Sequence, residues 1–374
     1  MNFSINSNVL LNNLMISQKA LSTKTPAPYL QGIKLEVYDD EMIMLASNSD
    51  ISIKISIKDE SLNIEDEGEI LIPGKIFVEF IRKLDKGIVE FSVVDNSVLK
   101  ISSNHTNLSL NLLNVEDYPN ISFKMVDGPI KLESKVMKSV IKQTTFATST
   151  IENRPILTGV NVKVQDDELI AIATDSFRLS QKKINTTKNY DKMNVVIPGR
   201  SLDELHKILE LDLEEILIHL DHKSIVFEYG NILFKSRLLD GSFPETSRLL
   251  PNEFPVVLKF KTSDLQVAIE RASLLSVRDS ISSIVKLNLK SNNDVEITSN
   301  SPEIGKVVED VETIDCQTST SLKIAFSSRY FLDALKTFDD DEVFVKFTGE
   351  IRPFIIESKK DEGLIQLILP VRTE

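Results

Sequence analysis

Residues 28–37 read PYLQGIKLEV, and residues 155–164 read PILTGVNVKV. Pro, Leu, Gly and the final Val coincide at an offset of 127, with Gly32 and Gly159 as the shared glycines. A second echo follows at an offset of 125: Ile72-Pro73-Gly74 leads into KIFVEFIRKL, and Ile197-Pro198-Gly199 leads into RSLDELHKIL. A weaker third copy, Ile324-Ala325-Phe326-Ser327, leads into SRYFLDALKTF. A fixed period is the mark of a repeat architecture. The expectation is three tandem similar domains, at 1–126, 127–252 and 253–374.

Apolar residues at helical spacing occur near 7–21, 74–86, 134–149, 199–210, 262–276 and 327–339, two windows per repeat. Ser7 or Asn8, Ser134, Thr262 with Ser263, and Ser327 with Ser328 are N-terminal cap candidates. Between the windows the pattern alternates. Ile51 to Lys58 reads ISIKISIK, a strand with one apolar face, and Asn107 to Leu113 alternates too. Asp39-Asp40, Asp95-Asn96 and Asp166-Asp167 suit hairpin turns. The reading is an α+β chain in which a helix followed by several antiparallel strands recurs six times. Such a repeat can lay helices on one side of a continuous sheet, and closure into a ring removes exposed sheet edges.

The chain has 374 residues, 41% of them hydrophobic, and a net charge of −13. That composition is globular and the length suggests more than one core. A single cysteine, Cys316, forbids a disulfide within the chain and fits a reducing, cytoplasmic setting. Asp315 and Gln317 beside it offer nothing to activate a thiol, so a structural role is expected. No leader-like N-terminus and no run of about 18 apolar residues is present, which predicts no membrane span.

Enzyme signatures are missing: there is no P-loop, no GxGxxG and no GxSxG. The sharpest metal candidate, His219-Leu220-Asp221-His222, reads as a hairpin tip, because His219 and Asp221 would share one strand face while His222 points away. A nuclease or other hydrolase acting on nucleic acid is the rival class. It would need clustered carboxylates at a metal site, and the acids here are scattered. No metal or cofactor is expected.

The acidity is unevenly placed. The six helical windows hold 13 Lys and Arg against 9 Asp and Glu, net +4, and the remainder holds 30 against 47, net −17. Lys135, Lys138 and Lys142 form one helical stripe with no acid in its window. Helices of that sign would favour phosphate on an inner face while the outside repels it, and such contacts carry no base-sequence information. Ordinary amphipathic helices with a small imbalance are the rival reading.

Ala173-Thr174-Asp175-Ser176-Phe177-Arg178-Leu179 resembles the ATDSHRL motif of bacterial DNA sliding clamps, the beta subunits of DNA polymerase III. Arg154 to Val160 (RPILTGV), Leu239 to Pro244 (LDGSFP), Arg352-Pro353-Phe354 and Leu367 to Arg372 (LILPVR) resemble clamp motifs as well, the third in its Gram-positive and mollicute form. Five motifs in order are a specific match, and the repeat extends it over the full length. The resemblance implies the clamp fold: antiparallel sheets outside and two helices per domain lining the pore of a ring-shaped, head-to-tail homodimer. It implies a non-catalytic processivity factor around duplex DNA. An ATP-dependent clamp loader would load it. The alpha subunit of the replicative polymerase, repair polymerases and mismatch-repair proteins would bind it through short linear motifs.

Those motifs would dock in an apolar cleft between the second and third domains. The resemblance assigns Leu157, Thr174, Ser176, Phe177, Arg178 and Leu179 to it from one side. Pro244 and Leu249 belong to it as well, and Ile351, Leu369, Pro370, Val371 and Arg372 come from the third domain. Arg178 would meet the polar ends of a bound peptide. For DNA the resemblance offers Lys24, with Arg82, Lys83, Lys138, Lys142, Arg200 and Lys207 as helix candidates. Leu274 and Leu275 match an apolar pair at the dimer interface, with buried core as the rival. The chain departs from the family where Phe177 replaces the usual His, keeping bulk and losing a polar edge. It also ends in Arg-Thr-Glu where many relatives end in Arg-Thr-Tyr.

Overall fold

A computed structural model of the chain describes residues 1–22, 27–186, 190–209, 214–275, 283–290, 294–301, 303–318 and 320–372. Lys24 lies outside them. Six α-helices stand in the expected windows: α1 (Ser7–Ser17), α2 (Gly74–Arg82), α3 (Ser134–Thr144), α4 (Gly199–Ile208), α5 (Thr262–Ser273) and α6 (Ser328–Leu335). Each ends before its window does. After α1 and α3 the chain tightens into 3-10 turns at Gln18–Ala20 and Thr145–Ala147. At the end of α3 the hydroxyls of Thr144 and Thr145 donate back to Val140 O at 2.7 Å and Ile141 O at 3.1 Å, competing with helix propagation.

The caps differ in part from expectation. Asn6, not Ser7 or Asn8, caps α1, its side chain accepting from the Asn8 N–H at 2.9 Å. Thr262 is already helical and α5 has no side-chain cap. Ser327 caps α6 as expected. The hairpin expectations hold: Asp39, Asp95, Asn96 and Asp166 adopt left-handed φ values of 50 to 57°, which Asn and Asp tolerate better than most residues.

The chain divides into two compact units: Met1–Lys138 with Ser201–Leu238, and Ser139–Arg200 with Leu239–Glu374. In the first, an eight-stranded antiparallel sheet runs in the order Ile130–Glu133, Glu215–Leu220, Ser224–Tyr229, Ile232–Arg237, Ile51–Ile57, Glu41–Ser47, Gly32–Tyr38, Gly68–Pro73. In the second, a nine-stranded sheet begins with an edge strand, Asp315–Thr318. It then repeats the same eight-strand order: Val256–Lys261, Glu342–Phe347, Phe354–Glu357, Leu364–Ile368, Arg178–Asn185, Glu168–Thr174, Gly159–Gln165, Met193–Pro198. Each large sheet therefore joins two sequence repeats across one central strand pair, Ile51–Ile57 with Ile232–Arg237 and Arg178–Asn185 with Leu364–Ile368.

Each unit also holds a smaller antiparallel sheet. In the first it runs Asn63–Asp66, Asn2–Asn6, Ile88–Val94, Val98–Ser103, Thr106–Asn111. In the second it runs Gly305–Val311, Val295–Ser301, Ile284–Leu289, Lys323–Ser327. Helix pairs α1 with α2 and α5 with α6 pack together. Phe3 stacks on Phe91 at 4.6 Å in one core, and Phe326 on Phe331 at 4.9 Å in the other.

The repeat glycines serve close approach. A Cβ at Gly159 would sit 2.6 Å from Ile197 O of the neighbouring strand, whereas one at Gly32 would meet side chains alone: Leu71 Cδ1 at 2.6 Å and Cγ at 2.8 Å, and Leu113 Cδ1 at 3.1 Å. Backbone cannot yield as a leucine tip can. Gly159→Ala should therefore cost about 2 kcal/mol, and Gly32→Ala no more than about 1 kcal/mol, read from urea midpoints.

Candidate functional site

The strand Arg178–Asn185 lies between Glu168–Thr174 and Leu364–Ile368, and a tight connection at Asp175–Phe177 leads into it. The Asp175 carboxylate accepts from the Phe177 N–H at 2.9 Å and the Arg178 N–H at 3.0 Å. Thr174 Oγ1 donates to Arg178 O at 2.6 Å and accepts from the Ser176 N–H at 3.2 Å. Ser176 takes a left-handed φ of 77°. This turn holds Phe177 outward at 54% exposure, its ring stacked on Tyr330 at 6.3 Å and its carbonyl accepting from the Leu369 N–H at 2.9 Å.

Strand side chains alternate faces. From Arg178 onward Leu179 points to one side and Arg178, Ser180 and Lys182 to the other. Leu179 is buried with Ile172, Ile355 and Leu367 in a separate apolar cluster, packed by Phe243, Leu250 and Phe254. Beyond this cluster stand exposed apolar side chains: Leu249 at 50%, Ile351 at 70% and Leu369 at 36%, besides Phe177. Leu249 shares a recess of about 590 Å³ with Arg248, Pro251, Arg352 and Pro353. Pro244 and Arg372 are exposed, and Pro370 and Val371 are half-buried. Val371 donates its N–H to Ala325 O at 2.7 Å, which anchors the C-terminal segment. Leu157 is buried in a 3-10 turn, where its carbonyl accepts from the Ser149 N–H.

Arg178 is turned inward: it is 8% exposed, and three of its five guanidinium N–H groups are engaged within the chain. Nε donates to Asp175 at 3.0 Å, Nη1 to Asp333 at 2.7 Å and Nη2 to Phe146 O at 2.7 Å. The guanidinium also lies over the rings of Tyr330 at 4.6 Å and Phe146 at 5.1 Å. It ties the turn to the end of α3 and to α6. The motifs did not name Tyr330, Asp333 or Phe146; the helical windows 327–339 and 134–149 contain them without pointing to the turn. Burial, with Asp175 nearby, raises the Tyr330 hydroxyl pKa, so the ring stays neutral under Phe177.

The cationic candidates divide. Arg82 pairs with Glu79 at 2.5 Å, Lys207 with Glu204 at 2.7 Å and Lys142 with Asp339 at 2.8 Å. Such exposed pairs are weak and a phosphate can displace them. Lys83 and Arg200 are exposed and Lys138 half-buried, and none of the three forms an ion pair among the described residues. Leu274 is 78% exposed and Leu275 half-buried, so Leu274 is not core. His219 is buried with Nδ1 facing the Val126 N–H and Nε2 facing Glu228, and Asp221-His222 forms the tip of a hairpin. Among the described residues no cluster of three metal-ligating side chains occurs. Burial, and then Asp315, push the Cys316 thiol pKa upward, which disfavours a nucleophilic thiolate.

Removing a buried ion-pair partner leaves an uncompensated charge. Arg178→Ala should therefore cost about 3 kcal/mol in urea unfolding. Loss of less than half of that would mean that Arg178 does not hold the turn.

Three family models, each described as a domain of the DNA polymerase III beta subunit, match the chain: N-terminal over residues 1–122, central over 131–245 and C-terminal over 247–372. A beta sliding clamp of Staphylococcus epidermidis is 42% identical over 378 aligned residues, covering both chains fully. The crystal structure of the DNA polymerase sliding clamp of Bacillus subtilis has a TM-score of 0.96 at 41% identity, and the Streptococcus pneumoniae beta chain 0.95 at 36%, both with full coverage. The chain belongs to the DNA polymerase III beta subunit family, the sliding clamps of DNA replication.

Proposed function

We propose that two copies of this chain join head to tail into a ring around duplex DNA, and that the ring tethers DNA polymerase without catalysing any reaction itself. The observation that carries the ring is a pair of strands left over. Ile51–Ile57, Arg178–Asn185 and Gly305–Val311 begin at intervals of 127 residues. The first two pair with the last strand of the following repeat. The third is the edge of its sheet, and Thr106–Asn111, the last strand of the first repeat, is the edge of another. A second copy gives each edge its missing partner, and a second such contact closes the assembly. Helix α5 packs on Gly305–Val311 and presents Leu274 at its C-terminal end, while Ile304 and Val308 are also exposed. Leu274 and Leu275 are the proposed interface pair, and 1–126, 127–252 and 253–374 the proposed domains.

The helices would face the DNA. Lys24, Arg82, Lys83, Lys138, Lys142, Arg200 and Lys207 would contact phosphates, giving sequence-independent, salt-sensitive holding. The apolar surface around Phe177, Leu249, Ile351 and Leu369 is the proposed docking cleft for short linear motifs. Leu157, Thr174, Ser176, Leu179, Pro244, Pro370, Val371 and Arg372 would frame it, with Arg178 as a positioning residue beneath. Occupants would be the polymerase alpha subunit, the clamp loader, repair polymerases and mismatch-repair proteins in the cytoplasm. A cluster of exposed apolar groups beside a packed floor is what a peptide anchor needs.

Two measurements test this. Sedimentation should give a dimer at micromolar concentration, and Leu274→Glu should weaken it about thirtyfold, the ~2 kcal/mol of an interface hot spot. A stable monomer of the parent chain would sink the ring. Phe177→Ala with Leu369→Asp should lower the affinity for a polymerase-derived motif peptide by about tenfold or more. The dimer should be unchanged, because neither residue belongs to the proposed interface strands Thr106–Asn111 and Gly305–Val311. Unaltered peptide affinity would remove the cleft assignment.

A further inference from the structure

The first unit contains a structural duplicate of the cleft turn, with its chemistry exchanged. Asn48 stands 127 residues before Asp175, and its side chain accepts from the Asp50 N–H at 2.8 Å and the Ile51 N–H at 2.9 Å. These are the bonds that Asp175 makes with Phe177 and Arg178. The Asp50 carbonyl accepts from the Arg237 N–H at 2.9 Å, as the Phe177 carbonyl accepts from Leu369. Ser52 pairs with Lys235 as Leu179 pairs with Leu367. The side-chain bonds to the turn and the strand register are thus repeated, though Ser49 does not take the left-handed φ of its counterpart Ser176, and four apolar side chains are replaced: Phe177 by Asp50, Leu179 by Ser52, Leu367 by Lys235 and Leu369 by Arg237.

The duplicate opens as a recess of about 470 Å³, lined by these residues together with Lys223, Asp221 and the chain segment Asn120–Ser122. Its basic groups are available at low cost. Arg237 pairs with Asp50 at 3.2 Å, but both side chains are more than half exposed, so the pair is weak. Lys235 donates to a backbone carbonyl, Ser122 O, at 2.8 Å. Lys223 is exposed and forms no ion pair among the described residues. The lining suits carboxylates, yet two carboxylates stand among its cations, Asp50 paired with Arg237 and Asp221 with Lys124 at 3.2 Å, and they break up the surface that a continuous polyanion such as a nucleic-acid strand would need. They suit a ligand that alternates carboxylates with N–H donors.

We propose that this recess is a second peptide-docking site, selective for an extended segment of a partner protein that carries Asp or Glu. Carboxylates of the segment replace Asp50 on Arg237 and engage Lys223 and Lys235, and its backbone N–H groups face Asp50 and Asp221. Each chain would then offer two docking grooves on one backbone plan, one reading apolar anchors and the other acidic ones. The recess and its charges do not depend on whether the apolar cleft takes a peptide.

The test is a pair of parallel selections of displayed random nine-residue peptides, on the full chain and on its Lys223→Glu/Arg237→Glu variant. Both substitutions are at exposed positions, and the variant's unfolding midpoint should match the parent's. Peptides enriched on the parent alone should be rich in Asp and Glu. The synthesised winner should bind the variant at least about tenfold more weakly, and the parent more weakly as salt rises. No parent-only enrichment, an apolar consensus, or equal binding to the variant overturns the proposal. So does displacement of the winner by single-stranded oligothymidylate at lower concentration than by its own unlabelled copy, which would reassign the recess to nucleic acid.

Discussion

Everything in this chain hangs on how one repeat is joined to the next. The joint is an antiparallel strand pair, Ile51–Ile57 with Ile232–Arg237 and again Arg178–Asn185 with Leu364–Ile368. An unpaired strand edge is a row of unsatisfied N–H and C=O groups, and pairing it across the repeat boundary both satisfies them and makes one sheet from two. Thr106–Asn111 and Gly305–Val311 stand at sheet edges, and in the proposed ring the same rule would join them between two chains.

The two joints differ in polarity, and that difference separates scaffold from site. In Ile51–Ile57 the isoleucines are buried under α1 and the serines and lysine face the other way. In Arg178–Asn185 the phase is reversed. Leu179 faces the outer cluster while Ser180 and Lys182 turn towards the helices. The register is the same in both joints, so the polarity of the two faces is exchanged by substitution: Ser180 stands inside where Ile53 does, and Leu179 outside where Ser52 does. The inward-facing Ser180 and Lys182 find partners there, although Gln143 Oε1 beside them is buried without one among the described residues. Lys182 pairs with Asp361, Gln143 Nε2 donates to Asp361 at 2.9 Å, and Gln366 Nε2 donates to Gln143 O at 3.1 Å. A buried ion pair contributes little net stability but costs several kcal/mol if one partner is lost, so this network works mainly to permit the inversion and to fix its geometry.

Much of the fold was legible because repeats leave arithmetic traces. The offset of 127 tied Gly32 to Gly159, the Ile-Pro-Gly motif marked the starts of α2 and α4, and turn acids such as Asp39 and Asp95 sit where left-handed φ is needed. Helix ends were less legible, since Thr144 and Thr145 terminate α3 through hydroxyl bonds that periodicity does not register. For the candidate site, motif resemblance named residues without assigning their environments. It offered Arg178 to the polar ends of a peptide without showing the three internal bonds that hold it to the turn, to the end of α3 and to α6. It missed Tyr330 and Asp333, which lie about 150 residues away in sequence and meet the turn only through tertiary packing. Leu274 was ambiguous between core and surface because one apolar residue at a helix end carries no period; its exposure resolved that.

The chain is acidic overall, and its helical windows are its positive part. A closed ring would put that charge difference to use, attracting phosphate within and repelling it without. The most direct test of the account is imaging of the purified chain by electron microscopy at micromolar concentration. Two-dimensional averages should show a closed annulus of two chains, six similar lobes and a central opening wide enough for a duplex. Open arcs or compact monomers, with no annulus at any concentration that preserves the fold, would contradict it.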